Sequence, residues 1–140
     1  MPKSFSYYEE RVLKALADRL DEFYLVGGTA LSLYYFHHRE SFDLDFFSQE
    51  FDLLRTRRII DFLSGKLKKR ATLIKELSQK NKVKIAVYTV KLNKETELKL
   101  DFVEDYFPLI KMPKKINGIC VASLEDIYLR KLCAVSGTAR

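Results

Sequence analysis

The sequence predicts a single α/β domain, and three observations carry that prediction. Segments with apolar residues at helical spacing alternate along the chain with shorter apolar or alternating segments of strand length. The 140 residues suit one domain, residues 1–140, that buries roughly two-thirds of its chain surface. With 47% hydrophobic and 31% charged residues, the composition is that of a globular chain rather than a disordered one.

Taken in order, YYEERVLKALADRL (residues 7–20) carries Val12, Leu13, Leu16 and Leu20 at helical spacing. EFYLV (22–26) is a short apolar run that fits a buried strand; Gly27 and Gly28 end it, and TALSLYYF (29–36) reads as a short helix. SFDLDFF (41–47) alternates as a strand does, and FDLLRTRRIIDFLSGKL (51–67) is an amphipathic helix closed near Gly65. ATLIKELSQ (71–79) and KVKIAVYTVKL (82–92) are strand-like, the second with Val83, Ile85, Val87 and Thr89 on one face. TELKLDFV (96–103) is a further alternating strand, and Pro108 and Pro113 break a loop. SLEDIYLRKLCAV (123–135) is the last helix, opened by Ser123 with Asp126 three residues on, a capping-box pattern.

Composition excludes some classes. No run approaches the ~20 apolar residues that span a bilayer, and the N-terminus has neither an apolar signal core nor a small-residue cleavage site. Cys120 and Cys133 show no metal spacing and are expected to be reduced thiols of a cytoplasmic protein. A net charge of +6 and a pI near 9.3 favour anionic partners such as nucleotides or nucleic acid.

The candidate chemistry begins with Asp43 and Asp45. Residues two apart on a strand share a face, so Phe42, Leu44 and Phe46 take one side and the two aspartates the other. Two carboxylates ~5 Å apart repel by roughly 3 kcal/mol at an effective dielectric near 20. A divalent cation reverses the sign of that interaction, and hard oxygen ligands in this number suit Mg²⁺ completed by water and phosphate oxygens. An exposed edge strand with two solvated acids explains a bare Asp-x-Asp equally well. A third acid, Asp101, lies on the polar face of another strand with Glu97 and Lys99. If that strand neighbours the first, three carboxylates converge in a set that fits metal-assisted phosphoryl or nucleotidyl transfer. Asp101 is also a candidate acceptor for the proton of an attacking hydroxyl. Otherwise Glu97, Lys99 and Asp101 form a wet face of mixed sign.

Gly27 and Gly28 occupy a strand-to-helix turn, where glycine lets a ligand approach the backbone closely. The helix that follows offers N–H groups to a phosphate, and Thr29 is placed to cap it or to bond a phosphate oxygen. Tight turns need glycine in any case. What distinguishes this one is the order: strand, Gly-Gly, helix, then an acidic pair on the next strand.

That order resembles the polymerase-β-like nucleotidyltransferase superfamily, with a slightly longer gap between Gly28 and Asp43 than is usual there. More narrowly, the chain is similar to the AbiEii/AbiGii toxin group. Members share a Gly-Gly-Thr-Ala-Leu turn followed by His-Arg-x-Ser-x-Asp-x-Asp-[Phe/Leu]-Phe. Here these are Gly27, Gly28, Thr29, Ala30 and Leu31, then His38, Arg39, Ser41, Asp43, Asp45, Phe46 and Phe47. Lys99-Leu100-Asp101-Phe102 resembles the third-acid strand, and SLEDIYLRKLCAV the helix that bears a lysine. The resemblance implies a nucleotidyltransferase-like fold, a small mixed sheet flanked by helices. It also implies Mg²⁺-dependent transfer of NMP from an NTP. In that family role Gly27, Gly28 and Thr29 hold the triphosphate, Asp43 and Asp45 bind metal, and Asp101 completes the site. An RNA acceptor, in particular tRNA, and a cognate antitoxin protein are the partners the resemblance implies.

Lys131 is also singled out by the residues themselves. Leu124, Ile127, Tyr128, Leu132 and Val135 share one helical stripe and Lys131 falls in the middle of it. A lysine there reaches an anion or snorkels out; the resemblance makes it a phosphate-binding catalytic lysine. Arg39 stands in the loop before the acidic strand, as a bidentate phosphate donor or an exposed loop arginine. His37 and His38 lack a ligand partner at metal spacing and are read as structural or surface residues. Basic clusters are plentiful: Arg55, Arg57 and Arg58; Lys66, Lys68, Lys69 and Arg70; Lys80, Lys82 and Lys84; Lys111, Lys114 and Lys115. Bases surrounding an acidic site suit a polyanionic acceptor bound through its phosphates.

Family members continue beyond the lysine helix with a helical C-terminal half, whereas these residues end at SGTAR. The expectation is therefore a catalytic domain without that half, with self-association covering the exposed helix face. The alternative to an RNA-modifying toxin is a catalytically incomplete domain that binds nucleotide or a partner protein. A third reading is transfer of the nucleotide to a protein hydroxyl.

Overall fold

The computed structural model describes residues 5–30 and 43–136. Helix α1 (Phe5–Leu16) leads through a turn to β1 (Tyr24–Val26), and Gly27 opens α2 (Gly27–Ala30). The remainder of the expected short helix, together with Phe42 and the loop bearing His37, His38, Arg39 and Ser41, lies outside the described residues. Then follow β2 (Asp43–Ser48), α3 (Leu53–Leu67), β3 (Arg70–Leu77), β4 (Ile85–Lys91), β5 (Glu97–Glu104), β6 (Lys114–Ile116), β7 (Ile119–Val121) and α4 (Leu124–Ser136). The strands form one mixed sheet in the order β3-β4-β5-β2-β1-β7-β6. Pairing is parallel between β2 and β5 and between β1 and β7, and antiparallel elsewhere. The α/β expectation and the mixed sheet flanked by helices are both met.

One face of the sheet is the core. Leu44 and Phe46 of β2, Leu98, Leu100 and Phe102 of β5, and Ala86, Tyr88 and Val90 of β4 are buried. The Phe46 and Phe102 rings stack at 5.5 Å, and Phe23 meets Phe102 edge-on at 5.2 Å. Helix α3 turns Ile59, Ile60 and Leu63 inward and packs on β3, β4 and α1. In β4 the core face is Ala86, Tyr88 and Val90. Val87 and Thr89 stand on the other face, opposite Asp101 and Lys99.

Two boundaries also differ. α3 runs through Gly65 to Leu67 and ends at Lys68, whose backbone is left-handed (φ 55°) and whose N–H bonds the Ser64 carbonyl. Glycine in a helix costs only about 1 kcal/mol, less than the helix gains here by burying Leu63. Its start is capped by Asp52, whose side chain accepts from the Leu54 N–H at 2.8 Å. The segment after Pro113 is not plain loop: β6 and β7 form a hairpin around Asn117 and Gly118, both at positive φ (51° and 83°). Asn-Gly is the strongest short hairpin signal in any sequence, and KKINGICV contains it. α4 begins as expected: the Asp126 N–H donates to Ser123 Oγ at 3.1 Å, and that hydroxyl donates to the Asp126 carboxylate at 2.9 Å.

Candidate active site

The face opposite the core collects the charged residues. β2 and β5 are parallel neighbours, with Asp45 paired to Asp101 and Asp43 to Lys99. Strands lie ~4.8 Å apart, so Asp45 and Asp101 are side by side with Asp43 one step along the same face. β1 runs antiparallel to β2 on its other side, with Val26 opposite Asp45. Gly27 therefore turns directly above Asp45. A Cβ added to Gly27 would lie 2.5 Å from Asp45 Oδ2, and its φ of +78° is a left-handed conformation. Only glycine fits both conditions.

Among the described residues, no group of three or more His, Cys, Asp or Glu side chains lies close enough to hold a metal ion between them. The adjacent pair is Asp45 and Asp101. Mg²⁺ is commonly held by one or two carboxylates plus water and substrate phosphates, so the donor chemistry of this pair suits it. Lys99, which the sequence reading placed only on a wet face, puts Nζ 3.3 Å from Asp101 Oδ2. Burial works against its charge. Asp101, then Asp43 and Asp45, more than offset that and hold the ammonium above its ordinary pKa.

The carboxylates open onto a cavity of about 210 Å³ lined by Gly27, Gly28, Asp45 and Asp101 and, from α4, by Ile127, Arg130 and Lys131. Lys131 thus reaches the site, but not for the reason its spacing gave. Tyr128 and Leu132 of the supposed apolar stripe are 44% and 68% exposed. The inward face of α4 is instead Asp126, Ile127 and Arg130. Thr29 falls in α2, whose Gly27 and Gly28 line the cavity, and Arg39 falls outside the described residues.

The sequence reading missed the polar cluster that carries this helix. Arg130, 6% exposed, sends NH2 to Asp105 Oδ2 at 2.6 Å and to the Phe107 carbonyl at 3.0 Å. Its NH1 reaches Asp126 Oδ1 at 2.8 Å. Tyr24 donates its hydroxyl to Asp105, and Gln49 donates to that hydroxyl at 2.9 Å and to the Phe107 carbonyl at 3.0 Å. Asp126 accepts the N–H groups of Ile110 and Lys111 at 2.8 and 3.0 Å. Burial would raise the Asp126 pKa; those N–H groups, the Ser123 hydroxyl and Arg130 bring it below the usual value instead. Burial, with Asp105 alongside, pushes the Tyr24 hydroxyl far above its ordinary range. The one local signal was Asp126 and Arg130 at i,i+4 on a helix; Asp105 and Tyr24 are distant in sequence.

The basic cluster of α3 does not lie at the site. Glu76 pairs with Ala86 across β3 and β4, on the core face, and Arg57 of α3 bonds Glu76 at 3.1 Å. Arg55 pairs with Glu22 at 2.7 Å. The α3 cluster therefore lies in the layer opposite the carboxylates. Lys111 and Lys115 also face carboxylates, those of Glu125 and of Asp18. Cys120 and Cys133 are half-buried and form no disulfide, and no described helix is long and apolar enough to cross a membrane.

Known proteins resemble this chain in sequence and in fold. Residues 11–140 match the family described as nucleotidyl transferase AbiEii toxin, type IV TA system. The uncharacterised protein aq_aa25 of Aquifex aeolicus (strain VF5) is 34% identical over 121 residues, 83% of this chain and 51% of that protein. The crystal structure of JHP933 from Helicobacter pylori superposes with a TM-score of 0.62 at 26% identity, over 96% of this chain and 59% of that one. A second structure, described as "putative nucleotidyltransferase from H. pylori", gives 0.62 at 25% identity over 94% of this chain and 60% of that one. The chain spans about half the length of the curated relative it matches. On the strength of the family match, this chain belongs to the AbiEii nucleotidyl transferase toxin family.

Proposed function

We propose that the domain transfers NMP from a nucleoside triphosphate to a hydroxyl of an RNA, tRNA being the acceptor first in line, as the toxin of a toxin–antitoxin pair. The observation that carries the reading is the registered Asp45–Asp101 pair on parallel strands beneath a glycine that Asp45 itself leaves no room to substitute. A triphosphate can approach the backbone at Gly27 and Gly28 without meeting a side chain. Lys131 offers a cation from the opposite wall, opposing the charge of the phosphates. Asp45 and Asp101, with Asp43 one step away, would hold Mg²⁺, which when bound neutralises phosphate charge and orients the reacting groups. The attacking hydroxyl would form the new P–O bond at the α-phosphorus with pyrophosphate leaving, and Asp101 would take the hydroxyl proton.

Incubation with each α-labelled NTP, Mg²⁺ and total RNA tests this. Label on RNA that is lost in Asp45→Ala and in Asp43→Ala is the expected result. Label on the polypeptide would redirect the transfer to a protein hydroxyl. Among the described residues no three or more His, Cys, Asp or Glu side chains group closely enough to hold a metal ion, which supports a second reading: a domain that binds nucleotide without completing transfer. Mg²⁺-dependent NTP binding with no labelled product would establish that reading and refute transfer.

A further inference from the structure

Along the site face the side chains change character over one step. Asp45 pairs with Asp101, and two residues on Phe47 pairs with Val103, a displacement of about 6.6 Å along the strands. Phe47 and Val103 are 9% and 2% exposed. Ile127 from α4 is buried beside the same cavity. A triphosphate and its cation gain nothing from a dry floor. A nucleobase does, since it is planar, apolar on both faces, and separated from the α-phosphate by the length of a ribose.

At the mouth of this half of the cavity stands Tyr106, 70% exposed. Its ring meets Phe107 edge-on at 5.2 Å. The loop that carries both rings is held in place, because the Phe107 carbonyl accepts from Arg130 and from Gln49, each at 3.0 Å. An exposed aromatic ring on an anchored backbone is a stacking surface that loses little freedom on binding.

We propose that this apolar half, floored by Phe47, Val103 and Ile127 and walled by Tyr106, receives the base of the donor nucleoside triphosphate, with Tyr106 stacking on it. The inference rests on the nucleotidyltransferase reading above. Calorimetric titration of the whole chain with ATP, CTP, GTP, UTP and inorganic triphosphate, each with Mg²⁺ and without RNA, tests it in the native protein, Tyr106→Phe and Tyr106→Ala. The expected result is tighter binding of at least one NTP than of inorganic triphosphate. Tyr106→Ala should weaken that NTP about tenfold and leave inorganic triphosphate unchanged, while Tyr106→Phe retains native affinity. An unchanged NTP affinity in Tyr106→Ala, or equal weakening of NTP and triphosphate, overturns the base assignment alone. So does native NTP affinity in Tyr106→Ala together with a raised KM for RNA in the labelled-NTP assay, which would make this the acceptor's subsite. Native protein that binds neither NTP nor triphosphate refutes the nucleotidyltransferase reading itself. Tyr106 projects into solvent, so its variants test binding rather than folding.

Discussion

At Gly27 two demands meet on one residue. The backbone is left-handed, at φ +78°, and the space a Cβ would fill belongs to Asp45 Oδ2. Alanine here costs about 1–2 kcal/mol from the backbone alone and displaces the carboxylate as well. Gly27→Ala is therefore expected to lower the melting temperature by several degrees and to reduce nucleotide transfer by as much as about a hundredfold. A calorimetric melt paired with the labelled-NTP assay measures both; a variant with native melting and native transfer would contradict the close approach. Lys99 shows the complementary case. Its charge is favoured by three aspartates at once, so in the protein's own structure a lysine supplies part of the cationic field that the acidic face requires.

Among the elements, α4 decides where the second wall of the cavity stands. Its anchor is a buried guanidinium whose three nitrogens all donate, to Asp105, to Asp126 and to the carbonyls of Asp126, Phe107 and Pro108. These bonds tie the helix both to the end of β5 and to the loop that carries Tyr106. Arg130→Met removes the cation that Asp105 and Asp126 share and leaves both carboxylates buried, at a cost of about 3–5 kcal/mol. Urea unfolding followed by circular dichroism should show a correspondingly lower midpoint, and a shift smaller than that of an exposed-arginine control such as Arg58→Ala would refute the clamp. Lys131 follows Arg130 in the same helical turn and lines the cavity because its neighbour holds the helix there.

Across the whole molecule, charge is divided between two layers. The carboxylates and Lys131 occupy one face of the sheet, whereas Arg57 and its neighbours on α3 lie on the other. A net charge of +6 would draw the proposed RNA acceptor toward the protein, with binding expected to weaken as salt rises. Productive docking should depend on the site layer alone. Charge reversal of Arg58 and Lys66, both exposed on α3, is expected to leave RNA labelling within about twofold of native at moderate ionic strength, where the charges are screened beyond ~10 Å. Lys131→Ala should abolish most of it. Loss of labelling in the α3 double variant would put the acceptor across both layers instead.

Much of this was legible in the chain. Local rules sufficed for Asp-Leu-Asp on a strand, Gly-Gly at a turn, Lys-Leu-Asp-Phe with its acid on the polar face, and Ser123 opening a helix, since each depends on the period of one segment or the chemistry of one turn. The Asn117-Gly118 turn of the β6–β7 hairpin follows a local rule of the same kind. The adjacency of β2 and β5, Gly27 seated over Asp45, and the Tyr24–Asp105–Arg130–Asp126 cluster join residues far apart in sequence. So does the division of the bases between layers. Strand order and helix roll decide these, and both are set by how the apolar faces pack together. The alternating sequence says which face each side chain takes; only the packed sheet says whose neighbour it becomes.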